Sequence, residues 1–392
     1  MSTVNATIAS PRMLLVGGGT VRQVAEVLGK FGLSRPLVVS DPIMVSTGLI
    51  QRVLDPLAAA GIAVTVFSDT VSDPTDTVIE AGVAVLRAGE FDCLLGFGGG
   101  TALDVAKAMS ILATSDKPMS AYKVPFAADH AKLPVIAIPT TAGTGSEVTR
   151  FTVITDTARG EKMLINGLGA LPLAAIIDYE LTFGVSQRTT ADTGVDSLTH
   201  ALESYISRRA NVVSDTHALH AMALIGANIR TAYREPRNAK AREAMMLGAS
   251  VAGMSFANSS VALVHGMSRP IGAHFHVPHG LSNAMLFPAV TRFSLASATA
   301  RYAAAARAIG FADAKDNDEI AANKLADGLA ALNADLGVPG PKQYGIDPAQ
   351  WDGKLELMAE QALASGSPAN NPRVPDKAEI VALYRQVWAA NA

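Results

Sequence analysis

The chain is poor in cysteine, in aromatics and in charge. Its one cysteine, Cys93, cannot close an internal disulfide. That excludes a disulfide-stapled secreted scaffold and fits a reduced, cytoplasmic compartment. Aromatic residues make up 5% of the chain and charged residues 17%. No basic block occurs and the net charge is −3, so nucleic acid is not an expected partner. Long apolar runs are missing too. Gly, Pro or charge interrupts each one before the roughly 20 residues of a spanning helix, and no membrane span is expected. The first residues, MSTVNATIASPRMLLVGGG, lack a basic segment followed by an apolar core, so no signal peptide is expected. What is abundant is small and apolar. Hydrophobic residues reach 49% of 392, enough for two cores and too long for one ordinary domain.

Residues 1 to about 185 alternate between β-rich runs and helical stretches. RPLVVSD, IAVTVFSD, FDCLLGFGG and LPVIAIPTT read as strands. IQRVLDPLAAAG, TVIEAGVAVLRAGE and TALDVAKAMSILA read as helices between them. Strands separated by helices predict an α/β domain with a parallel sheet. From about 186 to 392 the strand signal disappears and helical periodicity takes over, as in VDSLTHALESYIS and AREAMMLGASVAGMSFA. The expected organisation is an α/β domain over 1–185 and an all-α domain over 186–392.

Two glycine-rich turns could cradle an anion. VGGGTVRQVAEVL carries Gly17, Gly18 and Gly19; GFGGGTALDVAKA carries Gly96, Gly98, Gly99 and Gly100. Both read as strand, tight turn and helix start, where backbone N–H groups and the helix dipole attract phosphate. Neither fits the strict G-x-G-x-x-G spacing. Asp41 lies 24 residues after Gly17, near the usual distance for a ribose-binding acid. The second turn follows the more apolar strand, and Thr101 could cap its helix or bond a phosphate. Asp41 falls at a strand end, where it could accept from a ribose 2′-hydroxyl and repel a 2′-phosphate, favouring NAD over NADP. It could equally be a turn aspartate before Pro42. IPTTAGTGSEVTRFTVITD reads as a loop after a buried strand, with Thr140, Thr141, Thr144, Ser146 and Thr149 offering hydroxyls.

The histidines are concentrated. VHGMSRPIGAHFHVPHG alone holds His265, His274, His276 and His279. In DTGVDSLTHALESY, Asp196 and His200 are spaced i, i+4, on one helix face. His265 follows the apolar run ANSSVALV and is expected to end a helical turn. Pro278 suits the first position of a new helix containing His279. Asp196, His200, His265 and His279 would form an N₃O site suited to Fe²⁺ or Zn²⁺. His274 and His276 alternate in a segment read as irregular, and at most one could face such a site. His217 and His220 lack an obvious carboxylate partner, and His130 reads as loop.

The motifs GGGTALDVAKA, IPTTAGTGSEVT, ADTGVDSLTHALESYIS and HGMSRPIGAHFHVPHG, in this order, resemble those of iron-containing (group III) alcohol dehydrogenases in the dehydroquinate synthase-like superfamily. The resemblance spans nearly the whole chain. It implies a Rossmann-like nucleotide-binding domain, a helical domain, and an active site in the cleft between them. It assigns the pyrophosphate to the second turn, Gly98, Gly99, Gly100 and Thr101, and the adenosine ribose to Asp41. With Asp104, the residues Thr140, Thr141, Thr144, Thr149 and Lys162 would complete the NAD site. Asp196, His200, His265 and His279 match the metal ligands, and Phe256 and Phe151 match positions facing the substrate. The implied reaction is hydride transfer between NAD(H) and a small alcohol or aldehyde, with the metal acting as a Lewis acid. Homodimers or larger homo-oligomers are implied.

One position departs from the family pattern. A histidine often stands four residues after the third ligand; here it is Arg269, which cannot serve as a proton relay. It could pair with a nearby acid, or it could bind an anionic group on the substrate, with Arg150 assisting. Tyr179 replaces a usual proline. A metal-free maleylacetate-type reductase and a dehydroquinate synthase-like lyase are the alternatives on the same fold. The intact Asp/His/His/His set argues against the first.

Overall fold

The structure is a computed structural model describing residues 6–71 and 73–390. It divides into two compact units, one of Ala9–Gly184 and one that joins residues 6–8 to the chain from Val185 onward.

The first unit contains β1 (Met13–Val16), α1 (Val24–Lys30), β2 (Pro36–Val39), α2 (Pro42–Ser46), α3 (Gln51–Ala59), β3 (Thr65–Phe67), α4 (Asp76–Ala88), β4 (Cys93–Gly98), α5 (Gly100–Leu112), β5 (Val135–Pro139), β6 (Phe151–Asp156), β7 (Glu161–Asn166) and β8 (Ala174–Ile177). Six strands form one sheet in the order β1-β8-β5-β4-β2-β3, and every pair in it is parallel. The inner strands β2, β4, β5 and β8 are buried at every position. They therefore read as unbroken apolar runs rather than as alternation, as a sheet covered on both faces requires. Successive side chains still part company. Leu37, Val39 and Leu94 join Val83 and Met109 in one core. Val38, Leu95 and Phe97 join Val24, Leu28, Val53 and Leu57 in the other. That alternation places a helical layer on each face.

Three strands of this unit were not legible. The segment after β5, read from sequence as loop, becomes strand at Phe151. There β6 pairs antiparallel with β7, from Phe151↔Asn166 to Asp156↔Glu161. Its burial is one-sided, which stabilises a ribbon outside the main sheet. β8 is only AAII, too short and too alanine-rich to stand out.

The second unit contains, among its described residues, only helices: α6 (Gln187–Ile206), α7 (Val212–Arg234), α8 (Ala239–Ala257), α9 (Leu263–Phe275), α10 (His279–Ser294), α11 (Thr299–Ile309), α12 (Asp318–Asp335), α13 (Pro341–Tyr344), α14 (Pro348–Ala364) and α15 (Lys377–Ala390), with short 3₁₀ turns between some of them. Side-chain oxygens cap several starts: Ser186 on α6, Asn211 on α7, Asn238 on α8, Asn317 on α12 and Asp347 on α14.

The helix boundaries around the histidines differ from expectation. ANSSVALV is not a helical run: α8 stops at Ala257 and α9 starts at Leu263. His265 thus lies in the first turn of α9, not at the end of a turn. The cause is distant in sequence. No side chain at Ala262 caps α9, and Glu203 on α6 instead accepts from the backbone N–H of Ala262 (2.8 Å) and Val264 (2.5 Å). His274 is helical, not irregular, because α9 continues to Phe275. His276 then ends it in the left-handed region at φ 54°. Pro278 takes the N-cap of α10 and His279 the first helical position.

Candidate functional site

The metal candidates of the sequence converge. Asp196 and His200 lie one turn apart on α6, His265 opens α9 and His279 opens α10. One ligand atom from each residue lies within 4.8 Å of all the others. The three imidazoles turn the same nitrogen toward one carboxylate oxygen. Asp196 Oδ1 is 3.9 Å from His200 Nε2, 3.5 Å from His265 Nε2 and 3.7 Å from His279 Nε2. Asp196, His200 and His265 are buried, while the side chain of His279 is 43% exposed, leaving one open approach. A glycine permits this convergence. A Cβ on Gly280 would sit 2.3 Å from the Asp192 carbonyl oxygen and 3.3 Å from Asp196 Cβ, so only glycine lets α10 lie this close to α6.

Glu203 was not singled out from sequence. It is 2% exposed and lies on α6 seven residues after Asp196. Its Oε2 accepts from His265 Nδ1 at 2.7 Å. That bond places the proton on Nδ1 and leaves the Nε2 lone pair facing the cluster, the tautomer a metal ligand needs. Burial alone would raise the Asp196 carboxyl, but His200, His279 and His265 hold it far below the usual carboxylate range. Burial lowers His265, and the Asp196 and Glu203 carboxylates outweigh it, so the metal-free imidazole is a stronger base than usual. A buried carboxylate and three converging imidazoles fit a divalent ion of the iron or zinc kind. Phe256 stacks on His200, with ring centroids 4.3 Å apart, and walls one side of the cluster.

The other histidines lie elsewhere. His274 Nε2 bonds Gln361 Oε1 at 2.8 Å on the surface, and His276 is exposed. Arg269 follows His265 by one turn of α9. Its Nη1 donates to Ser367 Oγ at 3.0 Å, and no carboxylate of the described residues forms an ion pair with it. Burial draws its pKa below the ordinary arginine value while the charge of Glu203 draws it back up.

In the first unit the two glycine turns have different fates. After β1, the N–H groups of Gly19 and Val21 donate to the Asp178 carboxylate at 3.0 and 3.1 Å. A Cβ on Gly18 would meet the Tyr179 hydroxyl at 2.8 Å. That turn is filled by protein. After β4, three strand-end segments close on the second turn. Gly98 adopts φ 149°, and a Cβ on it would meet Asp41 Oδ2 at 2.9 Å. A Cβ on Gly100 would meet Thr144 Cγ2 at 2.7 Å, and one on Gly99 would lie 3.8 Å from Thr141. Thr140 N donates to Gly98 O at 2.9 Å, and Thr101 lies in the first turn of α5. No side chain caps α5 at Gly99. Asp41 caps α2 by accepting at Oδ1 from Ile43 and Met44 N–H, while its Oδ2 faces Gly98.

Asp104 and Lys107, one turn apart on α5, hold the segment that follows. Asp104 accepts from Ser146 Oγ at 2.6 Å and Val153 N at 2.9 Å, and burial raises its pKa against the pull of Lys107. Lys107, which sequence reading passed over inside an apolar helix, is fully buried. Its Nζ donates to Ser146 Oγ (2.8 Å), Thr149 O (3.1 Å), Thr149 Oγ1 (3.2 Å) and Phe151 O (3.0 Å). Lys162 sits on β7, 2.7 Å from Asp73.

A parallel sheet with a glycine cradle at its strand ends, and a helical unit with a buried N₃O cluster, define the class of two-part metalloenzymes. The profile of iron-containing alcohol dehydrogenases matches residues 11–179, and that of the family's C-terminal domain matches 190–388. The chain is 33% identical over 376 residues to an NAD-dependent methanol dehydrogenase of Bacillus methanolicus, covering 96% of this chain and 98% of that one. A solved 1,3-propanediol oxidoreductase is 34% identical with a TM-score of 0.94, over 98% of this chain and all of that one. A sulfoacetaldehyde reductase from Bifidobacterium kashiwanohense, solved with NAD⁺, is 29% identical with a TM-score of 0.88, over 98% and 99%. The chain belongs to the iron-containing alcohol dehydrogenase family and is an oxidoreductase of that family. The family's cofactors are NAD and iron.

Proposed function

We propose that the chain interconverts a small aldehyde and its alcohol with NAD(H), that Asp196, His200, His265 and His279 hold the metal, and that the preferred aldehyde carries an anionic group. When bound, the metal supplies Lewis acidity and the nicotinamide supplies or takes up the hydride. The chain does the rest. Glu203 keeps His265 in the ligand tautomer, and Phe256 orients His200 through its stacked ring. Gly98, Gly99, Gly100 and Thr101 offer backbone to a pyrophosphate without a side chain in the way. Thr140, Thr141 and Thr144 lie against that cradle, Thr149 is held by Lys107 in the same segment, and Asp41 Oδ2 suits a ribose hydroxyl and repels a 2′-phosphate. A cytoplasmic setting suits the buried free thiol of Cys93.

One observation carries the substrate reading. Arg269 is a half-buried guanidinium one turn beyond a ligand, bonded to a serine hydroxyl and to no carboxylate. Even a partly buried guanidinium that no carboxylate bonds is unfavourable. A carboxylate or sulfonate on the substrate would complete its planar fork. The sulfoacetaldehyde reductase is a relative named for such an aldehyde. The test is NADH oxidation with paired aldehydes of equal length, neutral and acid-bearing. We expect kcat/KM to favour the acid by tenfold or more, and Arg269→Ala to erase the preference. Equal rates on both partners of each pair would contradict it.

A further inference from the structure

A fifth side chain reaches the metal cluster. Asn283 lies on α10, one turn after His279, and is fully buried. Its Nδ2 lies 2.7 Å from Asp196 Oδ1, 3.2 Å from His265 Nε2 and 3.3 Å from His279 Nε2. One amide nitrogen therefore touches the ligand atoms of three of the four cluster residues. Its oxygen, Oδ1, has no hydrogen-bond partner among the described residues. An unpaired buried carbonyl is unfavourable, and an apolar residue of the same shape would avoid it. Packing thus gives no reason for an amide here. The contacts of Nδ2 do.

We propose that Asn283 is a positioning residue of the metal centre. The proposal rests on the four-ligand reading above. The short bond to Asp196 fixes the rotation of that carboxylate, so that the oxygen on which the imidazoles converge is held in place before an ion arrives. The two longer contacts keep the His265 and His279 lone pairs turned inward. An amide nitrogen has two hydrogens and cannot satisfy three acceptors fully. The imidazole contacts are the weaker ones, so an ion that takes those lone pairs displaces little. The Asp196 bond remains, and through it Asn283 sets the charge and orientation of the one anionic ligand.

The test uses Co²⁺, whose visible spectrum reports ligand geometry. Chelator-treated full-length protein is titrated with Co²⁺ as wild type, Asn283→Leu and Asn283→Ala. Leucine keeps the branched shape without a donor. Alanine adds no bulk and decides the matter if leucine does not fold. We expect wild type to bind one Co²⁺ per chain, and each folded variant to bind 10- to 100-fold more weakly with a shifted spectrum. A merely structural role would move the melting temperature but not the spectrum at saturating Co²⁺. Variants with wild-type affinity and spectrum overturn the role of Asn283 and leave the four-ligand reading standing. Wild-type protein that binds no Co²⁺ overturns the four-ligand reading itself, and this inference with it.

Discussion

Lys107 shows how much one buried charge can organise. Its ammonium has three hydrogens and lies within bonding distance of four oxygens between Ser146 and Phe151, so it ties α5 to the segment leading into β6. Burial pushes its pKa down to about 8 from 10.5, against the upward pull of Asp104 and Glu147. The sign of the consequence follows. Between these two values the unfolded chain holds this proton and the folded chain releases it. The unfolded state then binds more protons, and stability rises with pH across that window. Below about pH 8 both states are protonated and the contribution is flat. We expect denaturant unfolding at pH 7.5, 9 and 10 to show wild type gaining on Lys107→Met, by no more than about 1.4 kcal/mol per pH unit. Parallel pH profiles for the two proteins would contradict this. Glu203 works at the same scale. One carboxylate satisfies the first amides of α9 and fixes the tautomer of His265.

At the scale of elements, the cluster depends on how closely α10 meets α6. Gly280 has the Asp192 carbonyl where a Cβ would go. Gly280→Ala should force the helices apart, costing about 1–3 kcal/mol of stability and weakening metal binding at once, because Asp196 and His279 lie on the two helices concerned. Thermal unfolding and Co²⁺ titration of the same variant check both, and a stable variant with wild-type Co²⁺ affinity would refute the link. The same contact shows what the sequence makes legible. Asp196 and His200 could be paired from helical spacing alone, because an i, i+4 relation is local. His265 and His279 could be named as candidates, and the resemblance placed them with the pair. The start of α9 could not be read, because its amides are satisfied by Glu203, some sixty residues earlier in the chain. Apart from the short β8, the parallel strands were legible as apolar runs, whereas β6 and β7 were not. Their pairing is a relation between two segments, and neither segment is apolar enough to announce a strand. Of the two glycine turns, local pattern favoured the second without excluding the first. The structure shows the first filled by Asp178 and Tyr179, which lie more than 150 residues away.

At the scale of the whole molecule, the chain joins two chemistries on separate units. The parallel sheet brings the ends of β2, β4 and β5 together around a turn that only glycine can make. The helical unit gathers a carboxylate and three imidazoles from three helices around one point. Neither set could carry out hydride transfer alone, and family membership joins them in one enzyme. The most direct test follows metal content and NADH-linked aldehyde reduction in one sample, as chelator-treated protein is titrated with Fe²⁺. The account predicts negligible turnover without metal, rising in proportion to bound ion and levelling at one per chain, with His200→Ala failing at both. Full turnover in metal-free protein, or wild-type turnover by His200→Ala, would contradict it.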